Sequence, residues 1–151
     1  MNCFRYTLTA MLAVCLLLPA VAKAEEMQAD LRIHEVFRRY GKKRNVTMVE
    51  LSNEMLETYS ITHYKSIIIR EDDEALSFTR RCLDADQQGA RKIKEVTDGG
   101  GVISAYYQLS ENAGLNRFIL FKVNRKGVIT LVYIEGDLDS DDLITILFTD
   151  K

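Results

Sequence analysis

The strongest constraint on the fold is a pair of apolar runs in the last quarter of the chain. Residues 118–123 and 128–134 are rich in β-branched and aromatic side chains. Gly127, in the short polar link between them, can adopt the positive φ of a hairpin bulge. The acidic segment 139–142 then precedes an apolar run, 143–148, as residues at a helix N-terminus do. This part of the chain therefore predicts a strand, a turn, a second strand and a capped helix.

The first 24 residues have the organisation of a secretory signal peptide. A short start that contains Arg5 precedes an apolar run over residues 8–21, and residues 22–24 (Ala-Lys-Ala) have the small side chains that signal peptidase recognises. The apolar run is about 14 residues long, too short to cross roughly 30 Å of hydrocarbon comfortably as a helix. We therefore predict cleavage near Ala24, a periplasmic or secreted protein, and no integral membrane span in the mature chain.

Two other fates of this segment are less favoured by its sequence. A retained membrane anchor is one alternative. Lipidation of Cys15 is the other, but Val14 occupies a position where a small residue is usual, and the apolar run continues past the cysteine. Lipoprotein anchoring is therefore the weaker prediction.

Removal of the leader leaves an acidic chain with one thiol. The chain has 20 Lys and Arg against 22 Asp and Glu, and Arg5 and Lys23 leave with the leader, so the mature net charge is about −4. This balance argues against binding to nucleic acid. Cys82 is the one cysteine left after cleavage and has no partner for an internal disulfide. Residues 25–151 are long enough for a single domain with its own core.

The pattern upstream of the hairpin predicts helix, strand, helix, strand and helix. The first helix has an apolar stripe and ends at Gly41; the stripe is Ile33, Val36, Phe37 and Tyr40. A strand at 46–51, a brief helix capped by Ser52, an apolar strand at 66–70 and a longer helix from Asp72 follow. Gly89 marks a break, after which we expect a last helical turn with Ile93 and Val96. Helical crossovers would place the two strands parallel.

A further strand at 102–109 precedes the hairpin. We therefore predict a single α+β domain with a mixed sheet of about five strands. The sheet ends in an antiparallel three-strand meander, and the helices lie mainly on one face. The other face would be exposed or would serve as an interaction surface.

Residues that could carry chemistry do not form a recognisable catalytic or metal-binding motif. His34 and His63 have no partner at metal-ligand spacing. Cys82 follows Arg80 and Arg81, which could lower its pKa, but no catalytic histidine pattern accompanies it, and helical spacing favours a buried position. We predict no catalytic, cofactor-binding or metal-binding residue and no cofactor.

Three polar or aromatic features favour structure over chemistry. The acidic run 137–142 resembles a calcium loop but lacks glycine at its sixth position and glutamate at its twelfth, so we expect Asp139 to cap the last helix. The glycines of 98–101 lead into a strand, whereas a phosphate-binding loop leads into a helix. Tyr106, Tyr107 and Tyr133 could line a groove or an exposed sheet face, but tyrosines in strands are more often half-buried packing residues.

Several short motifs occur along the chain: Tyr-Gly-Lys-Lys at 40–43 with Val-Glu-Leu-Ser at 49–52, Val-Thr-Asp-Gly-Gly at 96–100, and Gly-Asp-Leu-Asp at 136–139. Together they resemble a family of small exported Bacteroidetes proteins, domain of unknown function 4252. The resemblance covers most of residues 37–147. The resemblance implies an exported α+β domain and supplies no catalytic residues.

Export and the missing catalytic motifs together favour a binding role. The leading hypothesis is a non-enzymatic envelope protein that binds a partner, whose identity and stoichiometry the sequence leaves open. The alternatives are an enzyme with a carboxylate or tyrosine site assembled in space, and a component of an envelope-stress regulatory system.

Overall fold

A computed structural model of the chain describes residues 31–51 and 53–148. The predicted leader, with Cys15, and the predicted helix cap Ser52 lie outside the described residues. All described residues fall within one unit, Leu31–Lys151. Among the described residues, three helices have eight residues or more, and a fourth is a single turn followed by a 3₁₀ turn, Glu57–Tyr59. In chain order they are α1 (Ile33–Tyr40), α2 (Asn53–Leu56), α3 (Asp73–Asp86) and α4 (Ser140–Phe148).

In the part of the chain that the structure describes, six strands form one sheet in the order β1-β2-β6-β5-β4-β3. They are β1 (Val46–Leu51), β2 (Ile61–Ile69), β3 (Arg91–Asp98), β4 (Gly101–Asn112), β5 (Leu115–Val123) and β6 (Ile129–Gly136). Every neighbouring pair is antiparallel. The α+β class and the three-strand meander, β4-β5-β6, are confirmed, and the mixed sheet of about five strands is wrong.

The predicted parallel pairing of β1 with β2 and the missed strand β3 each have a physical reason. β1 and β2 are joined by residues 52–60 only, and a parallel pair needs a crossover of about a dozen residues or more, so the chain reverses and the pair is antiparallel. The expected helical turn at Ile93 and Val96 lies in β3 instead, where residues 91–98 form a ladder with β4. β3 is an edge strand, and its basic residues hide the alternation by which strands are recognised.

The two faces of the sheet carry different amounts of helix. α1 and α3 cover one face, here called the α1/α3 face, through Phe37, Tyr40 and Leu83 in the main core. α2 and α4 lie on the opposite face, here called the α4 face, where Leu56 and Leu143 belong to a second core cluster. The larger helical cover, α1 and α3, therefore lies on one face, and the shorter helices α2 and α4 lie on the other. Strands with apolar residues on both faces, such as β5, can bury a helix on each side.

The predicted turn and cap residues of the C-terminal segment are confirmed. Gly127 has a φ of 73°, and the Asn124 side chain accepts hydrogen bonds from the N–H groups of Lys126 and Val128. Asp139 accepts hydrogen bonds from the N–H groups of Asp141 and Asp142, each at 2.8 Å, and so caps α4. These contacts fix where β6 ends and where α4 returns across the α4 face.

Candidate functional site

An apolar groove lies on the part of the α4 face that the helices leave open. Its volume is about 660 Å³, which lies within the range of small-molecule sites. The apolar side chains that line it are Ile93, Tyr106, Leu120, Val132 and Ile144. Beside the groove, Phe118 and Ile134 are fully covered and belong to the cluster that contains Leu143 of α4. The groove therefore begins where the cover of α4 ends.

Strand register places the floor of the groove in one row. Leu120 of β5 pairs with Tyr106 of β4 on one side and with Val132 of β6 on the other. Directly paired residues project from the same face of an antiparallel sheet, so the three side chains are neighbours. Ile144 lines the groove from α4, and the Tyr106 hydroxyl donates a hydrogen bond to the carbonyl of Ser140 at 3.3 Å.

The polar lining of the groove consists of basic and neutral side chains. Lys122 pairs across the strands with Ser104 and with Thr130, and all three line the groove. Lys94 of β3 pairs with Tyr106 and lines it too. Neither lysine takes part in an ion pair within the part of the chain that the structure describes. None of the described lining residues is acidic.

A second cluster, on the α1/α3 face, contains both histidines of the chain. The rings of His34 and His63 lie 4.9 Å and 5.9 Å from the ring of Tyr133, each in an edge-on arrangement. Tyr133 donates a hydrogen bond to Glu135 at 2.6 Å, and burial raises the pKa of the phenol, as does this bond. His63 also lies 3.3 Å from Glu50. Tyr133 is 3% exposed, so its protonated hydroxyl has little access to a substrate.

Cys82 is a buried thiol whose surroundings raise its pKa. It is 6% exposed, and burial raises its pKa to about 11, with a further contribution from Asp86. The sequence placed two arginines beside it, but Arg81 offsets the rise only in part, and Arg80 instead donates hydrogen bonds to the carbonyls of Gly100 and Val102. Arg80 thus supports the glycine turn between β3 and β4.

The three tyrosines singled out in the sequence do not form one site. All are buried, but Tyr106 lies on the α4 face, whereas Tyr107 and Tyr133 lie in the core of the α1/α3 face. Tyr107 donates a hydrogen bond to Glu95 at the edge strand. Across residues 31–51 and 53–148, no group of three or more His, Cys, Asp or Glu side chains is placed to hold a metal ion.

Sequence reasoning did not single out the groove residues Leu120, Val132, Lys94 and Lys122. The available signal was weak: residues 118–121 are all apolar, so β5 presents an apolar row on both faces. The helix that follows β6 is only nine residues long and lies over part of that second face.

None of the helices in the described part of the chain has the length and apolar character needed to span a membrane.

Comparison with known proteins identifies a sequence family for this chain. The model of a family described as "Family of unknown function (DUF6108)" matches residues 19–147. This is a different family from domain of unknown function 4252, so that resemblance was wrong at the level of the family. No curated protein and no solved structure matches the chain.

Proposed function

The chain belongs to the family of unknown function DUF6108, and we propose that it is an exported, non-enzymatic protein that binds a partner in the groove beside α4. The proposal depends on one observation: the apolar side chains on the α4 face are covered by α4 over only part of their extent. Phe118 is fully buried under the helix, whereas Leu120, two residues further along β5, lines an open groove.

The free energy of binding would come from covering the apolar row of Tyr106, Leu120 and Val132 on the floor of the groove. Burial of apolar surface gains about 25 cal/mol per Å², and Leu120, Val132 and Ile144 present such surface to one concave site. The strands that form the floor are held by ladders on both sides, so the site is formed before a ligand arrives. This supports binding as the role of the groove.

A fluorescent probe tests this function. The exported protein, produced from the full-length chain, is titrated with the neutral apolar dye 1-N-phenylnaphthylamine, whose emission rises in an apolar site. We expect saturable binding that Thr130→Trp abolishes, since Thr130 lines the groove and an indole there would fill it.

Thr47→Trp is the matched control. Thr47 pairs with Ile68, which pairs with Thr130, so both threonines lie on the same face while Thr47 lies on exposed β1 outside the groove. It should leave the titration unchanged. Absence of saturable binding by the wild-type protein, or equal loss in both variants, would refute the proposed site.

A second candidate is an enzyme that uses the cluster of Tyr133, Glu135 and the two histidines. It is favoured by the hydrogen bond between Tyr133 and Glu135 and by the convergence of both imidazoles on one ring. Its test is a screen with chromogenic esters, phosphoesters and glycosides. Turnover that is lost in Tyr133→Phe and retained in Tyr107→Phe would establish this candidate, and no turnover would remove it.

A further inference from the structure

The groove is positively charged although the protein is acidic. Lys94 and Lys122 line it and no described lining residue is acidic, whereas the whole chain has a net charge of −2. Some other lysines of the described chain do have acidic partners: Lys65 lies 3.4 Å from Glu50, and Lys92 lies 3.1 Å from Glu95. The two groove lysines are therefore available to an anion supplied by a ligand.

This charge pattern argues against a second copy of the chain as the occupant. Two copies that packed groove to groove would enclose Lys94 and Lys122 of both copies in one interface. Like charges that face each other in an interface destabilise it, and none of the described residues that line the groove is acidic and could relieve the repulsion. The occupant should instead combine apolar surface with negative charge.

We propose that the groove binds a single-chain anionic amphiphile, which is an aliphatic chain with one anionic head group. This inference rests on the proposed function and adds the class of ligand. The aliphatic chain would lie along Leu120 and Val132 toward Ile144, and the head group would lie between Lys122 and Lys94. β5 and β3 are separated by β4, hence by about 10 Å, and flexible lysine stems on either side can approach one anion.

The same geometry supplies a neutral hydrogen-bond donor for the head group. Ser104 of β4 pairs with Lys122 and lines the groove between the two basic strands. The aliphatic stems of both lysines can lie along the apolar lining while their ammonium groups remain near solvent. Lysine ammonium groups act as point charges, so this site favours an anion without requiring a planar carboxylate.

Competition between two ligands of equal chain length tests the proposed class of ligand. Dodecanoate and dodecanol, which share a chain length, are each used to displace 1-N-phenylnaphthylamine from the exported protein. We expect dodecanoate to bind more tightly, by about fivefold to tenfold at low ionic strength for two exposed charge pairs, and added salt to reduce this preference. Lys94→Gln combined with Lys122→Gln should remove the preference and leave dodecanol affinity within about twofold.

Lys126→Gln is the charge control, since Lys126 is exposed in the β5–β6 turn outside the groove; it should retain the preference. Equal affinities for dodecanoate and dodecanol in the wild-type protein would overturn the inference while leaving the proposed function intact. Failure of the dye and of both ligands to bind would instead refute the function. Sedimentation with phosphatidylglycerol vesicles, abolished by Thr130→Trp, would identify a bilayer as the occupant and overturn the single-chain ligand.

Discussion

The hydroxyl of Tyr106 donates a hydrogen bond to the backbone carbonyl of Ser140 at 3.3 Å, and so joins the floor of the groove to the first residue of α4. Burial raises the pKa of Tyr106 to about 12, with further contributions from Asp141 and Asp139. The hydroxyl therefore keeps its proton at neutral pH and remains a donor. Because Ile144 of α4 lines the groove, this bond links the position of the helix to the shape of the site.

Tyr106→Phe removes this bond and keeps the ring. We expect it to lower the free energy of unfolding by about 1 kcal/mol and to weaken dye binding, since α4 loses a contact at its start. Urea denaturation measures the first effect. Tyr59→Phe is the control, because Tyr59 is 52% exposed, and it should change stability by less than about 0.5 kcal/mol. Equal effects of the two substitutions would contradict this role of Tyr106.

Glu95 should contribute to the loss of stability at low pH. The hydrogen bond from Tyr107, and then the one from Lys92, lowers the pKa of Glu95 from its ordinary value of 4.5. A carboxyl group whose pKa is lowered by folding stabilises the fold above the unfolded pKa and loses this contribution as pH falls through the folded pKa. Glu95→Gln should therefore reduce the difference in unfolding free energy between about pH 7 and about pH 3. Glu111→Gln, at an exposed position, should reproduce the wild-type difference in unfolding free energy between the two pH values. The same difference in Glu95→Gln would show that the Glu95 carboxylate does not contribute.

Cys82 should react slowly in the folded protein. Its burial, and a pKa raised to about 11, leave little accessible thiolate near neutral pH. Ellman's reagent at about pH 8 should label it at least about tenfold faster after denaturation than before. Cys82→Ser gives the background from other thiols. Rapid labelling of the native protein would mean that the thiol is accessible, and the nucleophile hypothesis would return.

Export is tested by the N-terminus of the protein recovered from the envelope. The small residues at 22–24 predict cleavage after Ala24, so intact mass spectrometry should find a chain that begins at Glu25. Ala24→Tyr should block processing, since a large side chain does not fit the signal peptidase. A full-length chain in the cytosol, or a lipid on Cys15, would contradict this prediction.

Local sequence signals predicted the local structure well. The hairpin of β5 and β6, the turn at Gly127, the cap at Asp139 and the stripe of α1 all depend on residues close together in the chain. The relative direction of neighbouring strands and the number of strands in the sheet could not be predicted from such local signals. β3 is held by its ladder with β4 and carries charged residues that give no apolar alternation.

The groove could not be predicted from the sequence, since it depends on contacts between distant elements. The row of Tyr106, Leu120 and Val132 requires the register of three strands, and its exposure depends on where α4 ends its cover. For the same reason, nothing in the sequence indicated that His34 and His63 would meet at Tyr133.

The most direct test of the groove as a ligand site is an amide chemical-shift map of the protein titrated with dodecanoate. We predict saturable shifts in the segments that form the groove, around Lys94, Tyr106, Leu120, Val132 and Ile144, and unchanged shifts around Phe37 in the core of the α1/α3 face. A titration that leaves the groove segments unshifted, or that shifts the α1/α3 face instead, would contradict the account.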